Sequence, residues 1–251
     1  MKKFQKIFIL MKNQIEQFQR ELKLSSQALK ALEERNFSQE TIQTFQIGFC
    51  PAFGGFEFDL LNGRVVLPLH NAYNEVIAFA GRRVDYYGVQ VKDYYKHKTD
   101  SLQGLEKYSK WKSSKWINTP YSKSSNLFNL NRAKQPIFEM GYCIIVEGYF
   151  DVMRLHELGF PNALALCGTS ISDVQCNLIS RYCNKVLIML DGDEAGEIAT
   201  EKSSIKTRQN NLFTNIAKLP LNFDPDNLDR TTLKLIHHEL TNSDKELYIK
   251  L

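Results

Sequence analysis

Residues 186–196 read Val186-Leu187-Ile188-Met189-Leu190-Asp191-Gly192-Asp193-Glu194-Ala195-Gly196. An unbroken apolar run stops at an acid–glycine–acid turn, and a helix-forming stretch from Glu194 to about Arg208 follows. This is a buried strand that ends on two carboxylates. The same arrangement occurs upstream, where Cys143-Ile144-Ile145-Val146 runs into Glu147-Gly148 and a helix is expected from Phe150 to Leu158. Between these stretches, Ala163 to Cys167 reads as a strand and Asp173 to Arg181 as a helix. Beyond them, Leu212 to Leu219 reads as a fourth strand, and the chain from Leu228 onward as a further helix carrying Leu233, Leu235, Ile236 and Leu240. Strands that are apolar throughout are buried on both faces. Alternating with helices, they specify an α/β fold with a parallel sheet flanked by helices.

Ligands of such sheets bind beyond the carboxyl ends of the strands. Glu147, Asp191 and Asp193 all fall there. Three hard oxygen ligands suit Mg²⁺ or Mn²⁺, which take carboxylates, water and substrate phosphates. Asp224-Pro225-Asp226 follows the fourth strand and would reach the same edge, where it could hold a second ion. Two ions about 3.5–4 Å apart clamp both oxygens of an in-line phosphoryl displacement. Taken singly, each of these short motifs reads as a turn or a helix start. Their order in one αβ run is what points to a phosphoryl-transfer site.

Working outward, residues 13–46 read as helices, with Ser25 and Ser38 as helix caps. The Gln-rich start, residues 1–24, reads as a segment that packs as a helix, the other reading being a docking site for a partner. Gly and Pro punctuate residues 48–55, and strands Arg64–Leu69 and Val76–Gly81 are joined by a turn at Asn71–Asn74. This half is a small α+β unit.

The chain has 251 residues, of which 43% are hydrophobic and 24% charged, enough for a folded core. No apolar run approaches the roughly 18 residues that span a membrane. The start, Met1-Lys2-Lys3 before Ile7 to Met11, lacks a cleavage site, and the expectation is a cytoplasmic protein. The five cysteines form no C-x-x-C pair, which suits reduced thiols rather than disulfides or a zinc ribbon. The formal net charge of +4 has a location: residues 86–116 carry seven Lys against three acids, interleaved with seven aromatic residues including Trp111 and Trp116. Lysines that follow a backbone and rings that stack on bases suit single-stranded nucleic acid, stacking contributing ~1–3 kcal/mol per base.

Glu147-Gly148-Tyr149-Phe150-Asp151, then Leu166-Cys167-Gly168-Thr169-Ser170, then Leu190-Asp191-Gly192-Asp193-Glu194-Ala195-Gly196 resembles the Toprim domain of bacterial DnaG-type primases. Arg64 to Leu69 with Ile77 to Arg82 resembles the family's basic-subdomain hairpin. Lys115-Trp116-Ile117-Asn118-Thr119-Pro120 is similar to its K-Y-x-N-[ST]-P element, with Trp116 in place of the usual Tyr. The resemblance spans roughly residues 25–228. It implies a DNA-directed RNA polymerase that makes short RNA primers on single-stranded DNA from NTPs.

By motif position, Glu147, Asp191 and Asp193 match the metal-binding and catalytic acids, and Asp151, Asp224 and Asp226 accessory metal acids. Arg82, Lys115, Trp116, Asn118 and Lys123 match positions for nucleotide or DNA, joined by Trp111 on composition. The implied organisation is a helical extension at 1–24, a basic α+β subdomain at 25–135, a Toprim domain at 136–227 and a helical tail at 228–251. No Cys/His cluster precedes residue 50. The family's zinc-binding domain is therefore expected to be absent, with no zinc as cofactor, and so is its helicase-binding domain. The expected state is a monomer, with a replicative helicase or a separate zinc-domain protein as partner. Two other readings of the same acids are a Toprim-type metal-dependent nuclease and a non-catalytic single-stranded DNA binding protein.

Overall fold

The computed structural model describes residues 2–51, 59–84, 114–243 and 245–251. The chain forms two compact units, one of residues 1–36, 42–68 and 78–120, the other of residues 37–41, 69–77 and 121–251.

In the first unit the N-terminal helix α1 (Lys2–Leu24) is longer than its periodicity suggests and buries Ile15, Phe18 and Leu22. These positions recur at helical spacing and so share one face. That face packs on strand β1 (Gly48–Cys50) so closely that a Cβ at Gly48 would collide with Phe18. Ser25 caps α2 (Ser26–Glu33) by accepting from the Ala28 N–H at 3.2 Å, as its sequence position implies. Ser38 likewise accepts from the Thr41 N–H ahead of α3 (Gln39–Thr44).

The first sheet runs β1-β2-β3-β4, with β2 at Arg64–His70, β3 at Val76–Arg83 and β4 at Trp116–Asn118. The hairpin was legible, but its edges were not. Gly48–Cys50, expected as a punctuated loop, pairs antiparallel with β2 in the register Gly48↔Val66. Three-residue edge strands are too short to show an alternating pattern, and pairing with a neighbour fixes them instead.

The second unit is built on a five-stranded parallel sheet, order β6-β5-β7-β8-β9. Its strands are β5 (Cys143–Val146), β6 (Ala163–Ala165), β7 (Lys185–Ile188), β8 (Phe213–Lys218) and β9 (Tyr248–Lys250). Cys143 and Ile145 pack into one core with Leu130, Ala133 and Ile137 of α4 (Leu130–Met140) and Cys176 and Ile179 of α6 (Asp173–Ile179). Ile144 and Val146 are equally buried and point the opposite way, which is why the run is apolar without interruption. Helix α5 (Tyr149–Glu157) packs on β6, and α7 (Glu194–Gln209) on β7 and β8. The helical reading of the tail holds for α8 (Arg230–Thr241). Residues 248–250 then add β9 beside β8, paired Ile216↔Tyr248.

From β5 the chain goes to β6 on one side, then crosses to β7 on the other. That reversal leaves a crevice beyond the carboxyl ends of β5 and β7. Replacing the fully buried Ile145 by Ala is expected to cost about 2–5 kcal/mol in denaturant unfolding. The exposed Leu24→Ala should change stability by about 0.5 kcal/mol or less.

Candidate active site at the strand ends

Strands β5 and β7 pair in the register Ile145↔Ile188, so Glu147, two residues on, and Asp191, three residues on, leave the sheet side by side. The Asp191 N–H donates to Glu147 Oε1 at 3.3 Å, tying the two strand ends together. The chain then turns through Gly192, whose N–H donates to the Phe223 carbonyl at 2.8 Å. A Cβ at Gly192 would collide with the Pro220 carbonyl, and one at Gly196 with the carbonyl of Asp191. Glycine at both positions lets helix α7 start directly against the strand end.

Asp193 caps that helix, its Oδ1 accepting from the Gly196 N–H at 2.7 Å. Asp151 closes the other wall: its Oδ2 accepts from the Gly148 N–H at 2.7 Å at the start of α5. The short turn Pro225–Asn227, which carries Asp226 and is preceded by Asp224, packs against α5.

The electrostatics show that these acids share one space. Burial, then the charges of Glu147, Asp151, Asp224 and Asp193, push the Asp191 carboxyl up to about 7. Burial, opposed by the Gly148 N–H, and then the charges of Asp226, Asp224 and Glu147 push Asp151 up to about 6. Glu147 is raised by burial, eased by the Asp191 N–H, and raised again by Asp193 and Asp224. The six acids singled out in the sequence are thus near enough to act on one another's charge.

Among the described residues no three His, Cys, Asp or Glu side chains converge tightly enough to form a finished metal cage. One oxygen of the Asp193 carboxylate, Oδ1, is engaged by its helix cap. The residues nonetheless fit a divalent cation. Their donors are hard carboxylate oxygens, and Asp191 Oδ1 is buried with no hydrogen-bond partner, an arrangement that a cation would satisfy.

The nucleic-acid candidates divide between the units. In the first, β3 and β4 pair Arg82↔Trp116 and Ala80↔Asn118, and the Arg82 guanidinium lies over the Trp116 ring at 5.5 Å. Lys115 is exposed beside them. Sequence reasoning missed what supports this edge. Arg64 is buried, and its Nη1 donates to the carbonyls of Gly81 (3.4 Å), Ser114 (3.1 Å) and Lys115 (3.5 Å). An Arg opening an apolar strand is the only signal of that role. Lys123 belongs to the second unit, in an exposed turn. Trp111 and most of the lysine- and aromatic-rich strip lie outside the described residues.

A family model described as Toprim-like matches residues 144–229. The DNA primase of Aquifex aeolicus is 34% identical over 229 residues, covering 89% of this chain and 41% of that one. The DNA primase of Rickettsia bellii is 28% identical over 237 residues, covering 81% and 35%. Among solved structures, the zinc-binding and RNA polymerase domains of the Aquifex aeolicus primase superpose with a TM-score of 0.77 at 25% identity, covering 93% of this chain and 60% of that one. A DnaG primase catalytic domain bound to single-stranded DNA gives a TM-score of 0.71 at 25% identity, covering 94% and 78%. The fold and the acidic strand ends thus define a Toprim protein with the architecture of a primase catalytic core. Within that class the chain is a homologue of the DnaG-type DNA primases. It spans less than half the length of the curated primases it matches.

An acid raised by folding holds its proton more tightly in the folded chain than in the unfolded one. The metal-free protein should therefore lose stability as pH rises from roughly 4, the ordinary Asp range, to about 7, where Asp191 ionises. A divalent cation should raise the melting temperature more at pH 8 than at pH 5, and Asp191→Asn should flatten both dependences. Thermal melts across pH, with and without Mg²⁺, check this.

Proposed function

We propose that the chain is a primase RNA polymerase core that synthesises short RNA primers on single-stranded DNA by metal-dependent nucleotidyl transfer. The observation that carries this reading is the crowding of Glu147, Asp191 and Asp193 at the carboxyl ends of β5 and β7, with Asp191 Oδ1 left without a partner. In this reading Glu147, Asp191 and Asp193 hold one of two Mg²⁺ or Mn²⁺ ions, and Asp151, Asp224 and Asp226 help to hold the other. Bound there, the cations supply Lewis acidity toward the triphosphate and the attacking 3′-hydroxyl.

The chain's own residues do the rest. The raised carboxyls give up their protons as cations bind. Lys123 takes phosphate oxygens. Arg82, Lys115, Trp116 and Asn118 contact template or nucleotide, with Trp111 as a stacking platform. The polymerase unit then comprises a basic α+β subdomain at 25–135 and a Toprim domain at 136–227, working as a monomer in the cytoplasm. A replicative helicase or a separate zinc-domain protein would place it on the template. No helix among the described residues is long and apolar enough to cross a membrane.

The test uses Asp191→Asn with Asp193→Asn. Asn retains the capping of α7 and removes the charge. Incubated with labelled NTPs, single-stranded DNA and Mg²⁺ or Mn²⁺, the double variant should lose ~10³-fold or more in primer synthesis, equivalent to several kcal/mol of transition-state stabilisation. It should still bind single-stranded DNA. Oligoribonucleotide synthesis that survives the double substitution, or cleavage of DNA in place of synthesis, contradicts the reading.

A further inference from the structure

Lys123 sits in a turn that hydrophobic burial does not hold. Ser122, Lys123, Ser124 and Ser125 are all exposed, and no side chain of the turn Lys123–Ser125 is buried. Local polar contacts shape it: the Ser122 and Ser125 hydroxyls meet at 2.8 Å, and Asn126 Nδ2 donates to the Ser122 carbonyl at 2.9 Å. Its attachment to the Toprim sheet comes from the start of α6. Gln175 is 2% exposed, and its Nε2 donates to the carbonyls of Lys123 (3.1 Å) and Asn126 (2.7 Å). Its Oε1 accepts from the Ser172 N–H at 2.9 Å, and Ser172 Oγ donates to the Ser124 carbonyl at 2.6 Å. The capping box of α6 therefore has a second use. The residue that completes the cap also grips both ends of the lysine turn.

The gripped turn lies at the end of the sheet where the acids are. Lys123 is within electrostatic reach of Cys167, where its charge offsets part of the burial that pushes that thiol up. The Cys167 N–H in turn donates to the Glu147 carbonyl at 3.0 Å. Ahead of the turn, the Tyr121 hydroxyl meets that of Tyr149, at the start of α5, at 3.1 Å. A cation carried on a held turn at the carboxyl-terminal side of this sheet is suited to the phosphates of a nucleoside triphosphate, whose charge the acids alone would repel.

We propose that Gln175 is a positioning residue that holds the Lys123 turn in place for the triphosphate of the incoming nucleotide. This rests on the nucleotidyl-transfer reading. A free tetrapeptide of small polar residues would cost conformational entropy each time nucleotide bound. Two hydrogen bonds from the buried Gln175 amide impose that order beforehand. Gln175→Glu is a direct probe: it keeps the oxygen that accepts from Ser172 and sets an oxygen against the two carbonyls where the donor stood, so that the grip becomes repulsion.

Two measurements on the full chain test the inference. In amide hydrogen exchange, Gln175→Glu should speed exchange across residues 122–126 more than it does in the strands of the parallel sheet. In primer synthesis, it should raise the KM for NTP about tenfold, the equivalent of a lost buried hydrogen bond, with kcat changed less. In a Lys123→Ala background it should have no further effect on KM. Unchanged exchange in the turn overturns the proposal whether or not the chain makes primers. An unchanged KM, or an equal KM penalty with and without Lys123, also overturns it. A wild-type chain with no synthesis under any metal refutes the underlying reading instead, and the exchange result still judges the grip of Gln175.

Discussion

Parallel pairing of β5 with β7 forces two carboxylates to leave the sheet together, and the rest of the second unit is arranged around that constraint. The register Ile145↔Ile188 fixes Glu147 beside Asp191, and the Asp191 N–H bonded to Glu147 locks the pair. Like charges brought together out of water raise each other's pKa or recruit cations. Burial and its acidic neighbours push the Asp191 carboxyl up to about 7. Such a site is stable when a divalent ion or protons neutralise it, which makes metal occupancy a matter of stability as well as of chemistry.

The second unit was legible because its signals are long. Uninterrupted apolar runs such as Val186 to Leu190 admit one reading, a strand buried on both faces, and the acids that end them are placed by the sheet itself. Helix caps at Ser25 and Ser38 were equally readable, because a side-chain oxygen three residues from an orphan N–H acts locally. Strands β1, β4 and β9 were not readable. Each is three residues long and exists because a neighbour offers unpaired carbonyls and N–H groups.

The sequence places the candidate acids at strand ends but does not show how each carboxylate is turned. Asp191 and Asp193 flank one glycine, which suggests two carboxylates aimed at one point. Asp193 instead caps α7, a choice set by where the helix begins. The supporting side chains were harder still. Arg64 looks like the first residue of a strand and Gln175 like a cap partner, yet both reach across about 50 residues to backbone carbonyls around Lys115 and Lys123. Long-range bonds from a side chain to a carbonyl leave no mark on residue spacing.

Asp191 stands among like charges that a bound divalent cation would relieve. The most direct measurement is a carboxyl carbon NMR titration of Asp191 without and with Mg²⁺, which is diamagnetic. Without the cation the account expects a midpoint near 7. With saturating Mg²⁺ it expects ionisation to shift to the ordinary Asp range or below, about 4. A midpoint near 4 in the absence of cation, or one near 7 that Mg²⁺ leaves in place, would contradict it.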